Sequence, residues 1–200
     1  VLDSTLRQWK ETCLRPLLRG PISRLHPDQL TRAACVLGLL AAAAAALSQW
    51  TWALVFWLLN RFLDGLDGSL ARERGLQSDW GGYQDIVLDH VIYASIPLGV
   101  ATATGEWQAC AFLQAAYFLN TISWSYLAAL LEKRASGAAQ RGEMTSVTMP
   151  AALIEGTETL VFFCLFLGYP NGSAALFLLK GLLVLVGVWQ RWQFARSVLK

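Results

Sequence analysis

The sequence predicts an all-α integral membrane protein: six transmembrane helices preceded by an N-terminal amphipathic interfacial helix. Three observations carry that prediction. Of 200 residues, 55% are hydrophobic and only 15% charged, with a mean hydropathy of +0.42; about a quarter of an average soluble domain is charged. Three stretches hold no charged residue at all, Ala33–Asn60, Trp107–Leu131 and Thr159–Leu179, and a helix crosses a bilayer core with ~20 apolar residues. Finally, Lys and Arg fall in alternate connections between the apolar segments. A chain this apolar has too little polar surface to be disordered or an ordinary soluble domain. A net charge of only +2 excludes a strongly basic nucleic-acid binder. The nine tryptophans suit a lipid interface, where an indole sits half wet.

Residues 1–24 form the juxtamembrane part. Leu2, Leu6, Trp9, Cys13 and Leu17 recur every three or four positions and line one helical face, with Arg7, Lys10, Glu11 and Arg15 off it. Gly20-Pro21 ends the pattern. Such a helix lies in the headgroup plane, apolar side down. The first residues are charged and lack a cleavable apolar core, so no signal peptide is expected. Residues 25–200 form the membrane domain. Its spans are expected at Gln29–Ser48, Thr51 to about Arg74, Gly81 to about Thr104, Trp107 to about Arg134, Met149–Leu167, and about Ala174 to Val198. A polar loop over roughly 135–148 separates the fourth and fifth, and Tyr169-Pro170-Asn171-Gly172 makes a turn before the sixth. The alanine-rich stretch Ala41–Ala46 reads as a close-packing helix face. Cys13, Cys35, Cys110 and Cys164 have no metal-ligand spacing and read as small apolar side chains in packed helices.

Basic residues test this division independently. Arg24 and Arg32 precede or open the first span; Arg72 and Arg74 follow the second; Lys133, Arg134 and Arg141 follow the fourth; Arg191, Arg196 and Lys200 close the sixth. The connections after spans one, three and five contain no Lys or Arg. Positively charged connections stay on the cytoplasmic side, so six spans with both termini in the cytoplasm are expected, in the inner membrane.

Ionisable residues inside spans are costly and mark function by default. Here they cluster. Asp64 and Asp67 are i,i+3 at the end of span two; Asp85 and Asp89 are i,i+4 at the start of span three. Each pair shares a helix face, and both sit near the cytoplasmic ends of neighbouring helices joined by a short loop. Four carboxylates converging in a low-dielectric place call for cations. Hard divalent ions suit them, because Mg²⁺ prefers carboxylate oxygen. Two bridged ions suit phosphoryl-type transfer, one activating the attacking oxygen and one steadying the leaving oxygen. Gly68 and Ala71 continue the Asp64 face and leave room for a bulky ligand, with Arg72 and Ser78 placed to meet phosphate oxygens.

The run Asp64-x2-Asp67-Gly68-x2-Ala71-Arg72-x8-Gly81-x3-Asp85-x3-Asp89 resembles the signature of the CDP-alcohol phosphotransferase family (class I) at every fixed position and spacing. The resemblance extends over the whole chain through the six spans. It implies an integral-membrane enzyme, usually a homodimer, that uses two divalent cations, Mg²⁺ or Mn²⁺. Such an enzyme transfers a substituted phosphate from a CDP-activated lipid, typically CDP-diacylglycerol, to an alcohol acceptor and releases CMP. By the same resemblance Asp64 and Asp85 would bridge the two ions, Asp67 would complete one site and Asp89 the other, and Asp89 would act as general base. Gly68, Ala71, Arg72 and Ser78 would form the donor site. The segment containing Asp28, Gln29 and Thr31 resembles the donor-binding entry to the family's first span, where a helix N-terminus offers N–H groups to a diphosphate.

Other polar residues have two readings. Arg61, one turn before Asp64, is expected to pair with the buried acids. His90 is expected to pack or hydrogen-bond rather than ligate. Asn120, Ser123 and Ser125 suit helix-to-helix hydrogen bonds. Glu155 and Glu158, i,i+3 on span five, either pair with Arg61 or Arg191 inside the bundle or wall an acceptor pocket. Family members with phosphorylated acceptors tend to offer basic residues from the fifth span, whereas this chain offers glutamates. That leaves a neutral or amine-bearing alcohol open, with Lys133 and Arg191 as phosphate-binding candidates. Two rival functions share the acidic cluster. An intramembrane aromatic prenyltransferase needs more than six spans. A non-enzymatic divalent-cation carrier needs polar residues reaching the opposite membrane face, where the connections carry only Glu106.

Overall fold

In a computed structural model, Gly20, residues 25–134 and residues 156–199 are described. The expected interfacial helix, the loop over 135–148, Glu155 and the first part of the fifth span lie outside the described residues.

Among the described residues, six α-helices follow one another: α1 (Pro27–Ala46), α2 (Trp50–Glu73), α3 (Asp79–Thr104), α4 (Trp107–Lys133), α5 (Gly156–Gly168) and α6 (Ser173–Val198), with a 3₁₀ turn at Pro170–Gly172. No strand occurs among the described residues. The expected spans and the observed helices agree to within two residues at nearly every described end, because the breaks are written in local chemistry. Pro27 sits at the first turn of α1, where its missing N–H costs nothing. Ser78 caps α3 by accepting the Gly81 N–H at 3.1 Å. Gly105 ends α3 in the left-handed region, with φ of 80°.

Among the described residues, length and apolarity qualify three helical segments as membrane spans on their own: Pro27–Ala46, Asp79–Thr104 and Pro170–Val198. The all-α membrane fold is the one expected, with a second span that starts apolar and ends with charges. At 24 and 27 residues, α2 and α4 are long enough. However, α2 carries Arg61, Asp64, Asp67 and Arg72, and α4 carries a polar run through Asn120, Thr121, Ser123 and Ser125. These two helices face polar partners inside the bundle. The described part of the fifth span is a 13-residue apolar helix.

Helix α1 packs on both α2 and α3, α4 lies against α6, and α5 closes on α2. The α1 contacts are close because small residues make them. Ala41, Ala42, Ala44, Ala45 and Ala53 are buried, and a Cβ on Gly99 of α3 would collide with the Ala42 carbonyl. Ala41–Ala46 therefore acts as the packing face its composition suggests. Within the bundle, Trp57, Tyr93, Phe163, Phe166 and Phe177 form a continuous aromatic core. Outward, large apolar side chains such as Val36, Leu40, Trp52, Phe118, Ile122 and Leu182 are exposed, the arrangement a lipid-facing surface requires.

The two ends of the bundle differ. At one end Arg74 Nη1 donates to the Leu25 carbonyl at 3.0 Å, and Arg134 donates to the carbonyls of Val198 and Leu199 at 3.2 and 2.9 Å. Basic residues thus tie down the chain entering α1 and leaving α6. At the other end Ser173 Oγ bonds Thr104 Oγ1 at 3.3 Å, joining the start of α6 to the end of α3.

Candidate active site

The site is built at the basic end, where the start of α1, the last turns of α2 and the first turns of α3 meet. Asp64, Asp85 and Asp89 line one small cleft, together with Thr31, Cys35 and Asn60. Helix spacing explains the convergence. Asp85 and Asp89 are one turn apart on α3, and Asp64 faces them from α2.

Asp67 does not line this cleft. It is buried and turned toward α1, where the Thr31 hydroxyl lies 2.6 Å from its Oδ2. The Pro27 carbonyl is farther from that hydroxyl, at 3.2 Å. A hydroxyl has one proton, and the nearer, charged acceptor takes it. The Gly68 N–H donates to Asp67 Oδ1 at 2.5 Å.

Arg61 organises the other side. Its Nη2 lies 2.6 Å from Asp89 Oδ1, its Nη1 3.3 Å from Asp89 Oδ2 and 3.5 Å from Asp64 Oδ2. Its Nε donates to Asn60 Oδ1 at 2.7 Å, and Asn60 in turn donates to the Ala34 carbonyl of α1 at 2.7 Å. The Tyr93 hydroxyl donates to Asp89 Oδ2 at 3.0 Å. The guanidinium also lies over the Trp57 and Tyr93 rings, 4.8 and 5.5 Å from their centroids. The expected pairing of Arg61 with the acids holds, and its partners come from both α2 and α3.

Among the described residues, no three Asp, Glu, His or Cys side chains close tightly enough around one point to define an ion site. Two of the three acids that line the cleft, Asp64 and Asp89, meet Arg61. The donor chemistry is nonetheless that of a hard divalent ion, since the acids offer oxygen alone.

The expected donor residues surround the same end. Asp28 approaches Gly81 across the α1–α3 contact. Gln29 is drawn into its own helix start, where Oε1 accepts the His26 N–H at 3.0 Å. Arg72 lies alongside Gly68, with Nη2 3.4 Å from Ser69 Oγ. Ala71 is half-buried on the following turn, and Ser78 is exposed at its cap.

Of the acceptor candidates, Arg191 is buried on α6 and donates to Asn120 Oδ1 of α4 at 3.0 Å. Lys133 is exposed at the end of α4, and Glu158 is half-buried near the start of α5. His90 is a packing residue as expected. The Ile86 carbonyl can only accept, so Nδ1 carries the proton at 2.7 Å, and Nε2 faces Thr121 Oγ1 at 3.0 Å. Asn120 makes its expected helix-to-helix bond, whereas Ser125 bonds back to Thr121 of its own helix. Sequence reasoning passed over Asn60 and Tyr93. The signal was present: Tyr93 continues the Asp85–Asp89 spacing by one more turn, and Asn60 stands one turn before Asp64.

The family model for CDP-alcohol phosphatidyltransferase matches residues 24–191. The chain belongs to this family. It is an enzyme of the CDP-alcohol phosphotransferase type and a multi-pass integral membrane protein. It is similar to inner membrane protein YnjF of Escherichia coli K12, at 41% identity over 162 residues, covering 77% of this chain and 75% of that protein. It also resembles an archaetidylinositol phosphate synthase of Pyrococcus horikoshii, at 29% identity over 175 residues, covering 78% and 89%. The fold matches a Mycobacterium tuberculosis phosphatidylinositol phosphate synthase (PgsA1). In its CDP-DAG-bound crystal structure the TM-score is 0.68 at 18% identity, over 93% of this chain and 92% of that one. A second crystal structure of that synthase, with manganese and citrate, gives 0.69 at 18% identity over 94% and 89%.

Proposed function

We propose that this enzyme moves a phosphatidyl group from CDP-diacylglycerol to the hydroxyl of an alcohol, releasing CMP, at the cytoplasmic face of the inner membrane. The observation that carries the reading is the single cleft lined by Asp64, Asp85 and Asp89 from two helices. Crystals of the M. tuberculosis synthase hold CDP-DAG in one case and manganese in another, which supports a CDP-lipid donor and divalent cations here.

The residues divide the work. Asp64 and Asp85 hold two divalent ions between them, Asp67 completes one site and Asp89 the other. The ions, Mg²⁺ or Mn²⁺, supply charge neutralisation for the diphosphate and for the departing CMP. Asp28, Gly68, Ala71, Arg72 and Ser78 line the path of the nucleotide. Gly68 leaves a ligand access to the helix surface, and Arg72 offers a planar fork to phosphate oxygens. Gln29 and Thr31 serve this path indirectly, Gln29 by fixing the start of α1 and Thr31 by holding Asp67. Asp89 takes the proton of the acceptor hydroxyl. The acceptor oxygen then bonds to the lipid-linked phosphorus, the bond from that phosphorus to CMP breaks, and CMP leaves with the electron pair.

Basic residues at the cleft end support a reading in which that end, with both chain termini, faces the cytoplasm. Arg191 and Lys133 favour a phosphate on the acceptor, and Glu155 and Glu158 an amine or neutral alcohol. The working unit is a homodimer. A carrier is disfavoured by what lies behind the cleft: Ile92 floors it and the buried Trp57 and Phe163 follow.

The test is release of labelled CMP from CDP-diacylglycerol by the purified chain, with glycerol phosphate, inositol phosphate, serine, choline and phosphatidylglycerol as acceptors. Release should depend on one acceptor, stop with chelator and return with Mg²⁺ or Mn²⁺. No release with any acceptor overturns the reading.

A further inference from the structure

The most heavily committed side chain near the cleft is one that the two-ion reading does not use. All three nitrogens of Arg61 have assigned partners: Nε on Asn60, Nη1 on Asp89, Asp64 and the Tyr93 hydroxyl, Nη2 on Asp89. The side chain is 15% exposed, and its guanidinium lies over two rings. Asn60 anchors it to the α1 backbone. It therefore has a fixed seat, and from that seat it grips both oxygens of Asp89 while only brushing Asp64.

We infer that Arg61 is a built-in cation that positions Asp89 and competes with a divalent ion for its oxygens, so that the two ions bind unequally. This rests on the ligand assignment proposed above. A carboxylate held by both oxygens in a fork-to-fork pair has a defined plane. An ion approaching Asp89 must share those oxygens with Arg61 or displace it, and two cations at one carboxylate repel. Asp67 turns instead to the Thr31 hydroxyl and the Gly68 N–H, so an ion on its side meets less competition. The ion on the Asp89 side is therefore the more weakly held. Arg61 does not touch the reacting atoms and is a positioning residue.

The test measures Mn²⁺ binding directly, by the loss of the free-ion electron paramagnetic resonance signal on titration of purified protein, alongside CMP release. The unmodified chain should show two binding steps of different affinity. In Arg61→Gln the weaker step should tighten roughly tenfold, because a competing cation is gone. The rate at saturating Mn²⁺ should fall, because Asp89 is no longer held. Arg61→Lys should give a binding curve and a rate between the two. Tyr93→Phe, which keeps the ring and removes the hydroxyl, should lower the rate with little change in Mn²⁺ binding. It supplies a second measurement if Arg61→Gln does not fold. Weaker or unchanged Mn²⁺ binding in Arg61→Gln overturns the inference, as does a Tyr93→Phe protein whose Mn²⁺ affinity shifts as far as its rate. Asp64→Asn and Asp89→Asn separate the two levels. If neither alters Mn²⁺ binding, the ligand assignment itself is wrong; if both do and Arg61→Gln does not, only the role of Arg61 is.

Discussion

Two basic side chains, one half-buried and one fully buried, lie against the two rings of one aromatic stack, and the molecule treats them differently. Trp57 and Phe163 stack at 4.7 Å. Arg61 lies against Trp57, on the cleft side, and its nitrogens meet Asp89, Asp64, Asn60 and Tyr93. Lys180 lies against Phe163, fully buried on α6. Its Nζ is 4.3 Å from that ring centre and 5.3–5.7 Å from those of Tyr117, Phe162 and Phe166, with no hydrogen-bond partner among the described residues. Arg61 is answered by carboxylates, which orient it and are oriented by it. Lys180 is answered by ring faces alone, whose attraction is broad in angle and worth up to about 2 kcal/mol when desolvated. The first region has the directional contacts that chemistry needs; the second has packing with one awkward tenant. Function is therefore expected to concentrate on the Arg61 side and stability effects on the Lys180 side.

The strongest way to break that contrast is Asp89→Asn. It keeps the shape of the side chain but removes the proton acceptor, and an amide nitrogen in place of Oδ2 no longer accepts from Arg61 and Tyr93. CMP release should fall about 10²–10⁴-fold, the usual worth of a positioned base, while binding of CDP-diacylglycerol persists. Retained turnover would place the chemistry elsewhere. Next in size is Thr31→Val, which keeps volume and removes the hydroxyl that donates to Asp67. A hydrogen bond to a charged group contributes about 1.5–3 kcal/mol. The variant should therefore need roughly tenfold more Mn²⁺ for half-maximal CMP release, with the maximal rate little changed.

The legibility of the two regions follows the same division. The acidic cluster could be read from the sequence because helix geometry turns i,i+3 and i,i+4 spacing into a shared face, and because charge is rare enough in these helices to stand out. The helix ends were legible for equally local reasons: Pro27, Ser78 and Gly105 act on their own turn. What could not be read is which helix answers which. Asp67 shares a face with Asp64 yet turns to Thr31, 36 positions earlier, because α1 packs closely enough to offer a hydroxyl. Arg61 was expected to meet acids, but the two-pronged grip on Asp89 depends on how α2 and α3 cross. Lys180 carried no signal at all. It sits alone in an apolar run, and a lysine there reads as snorkelling until Tyr117, Phe162, Phe163 and Phe166 are known to close over it.

On the packing side, Gly99→Ala tests the α1–α3 contact. The added methyl would meet the Ala42 carbonyl, which is backbone and cannot swing away. Overpacking of this kind costs about 1–3 kcal/mol, visible as a lower midpoint of thermal unfolding in detergent. The rate at a temperature where the variant is folded should change far less than in Asp89→Asn.

Lys180→Met is expected to have the smallest effect, with the opposite sign. Methionine matches the length and most of the volume of lysine and packs well against rings. Leaving a polar group buried without a hydrogen bond costs about 1–3 kcal/mol in proteins. The ring faces return part of that through cation–π attraction. An ammonium costs more to bury than the neutral polar group of that figure, so the balance favours methionine. The unfolding midpoint should rise by a few degrees and CMP release should be unaltered. A lower midpoint, or a loss of transfer, would mean that Lys180 meets a polar partner in the working enzyme. The stack of Trp57 and Phe163 would then join two functional regions instead of dividing one from the core.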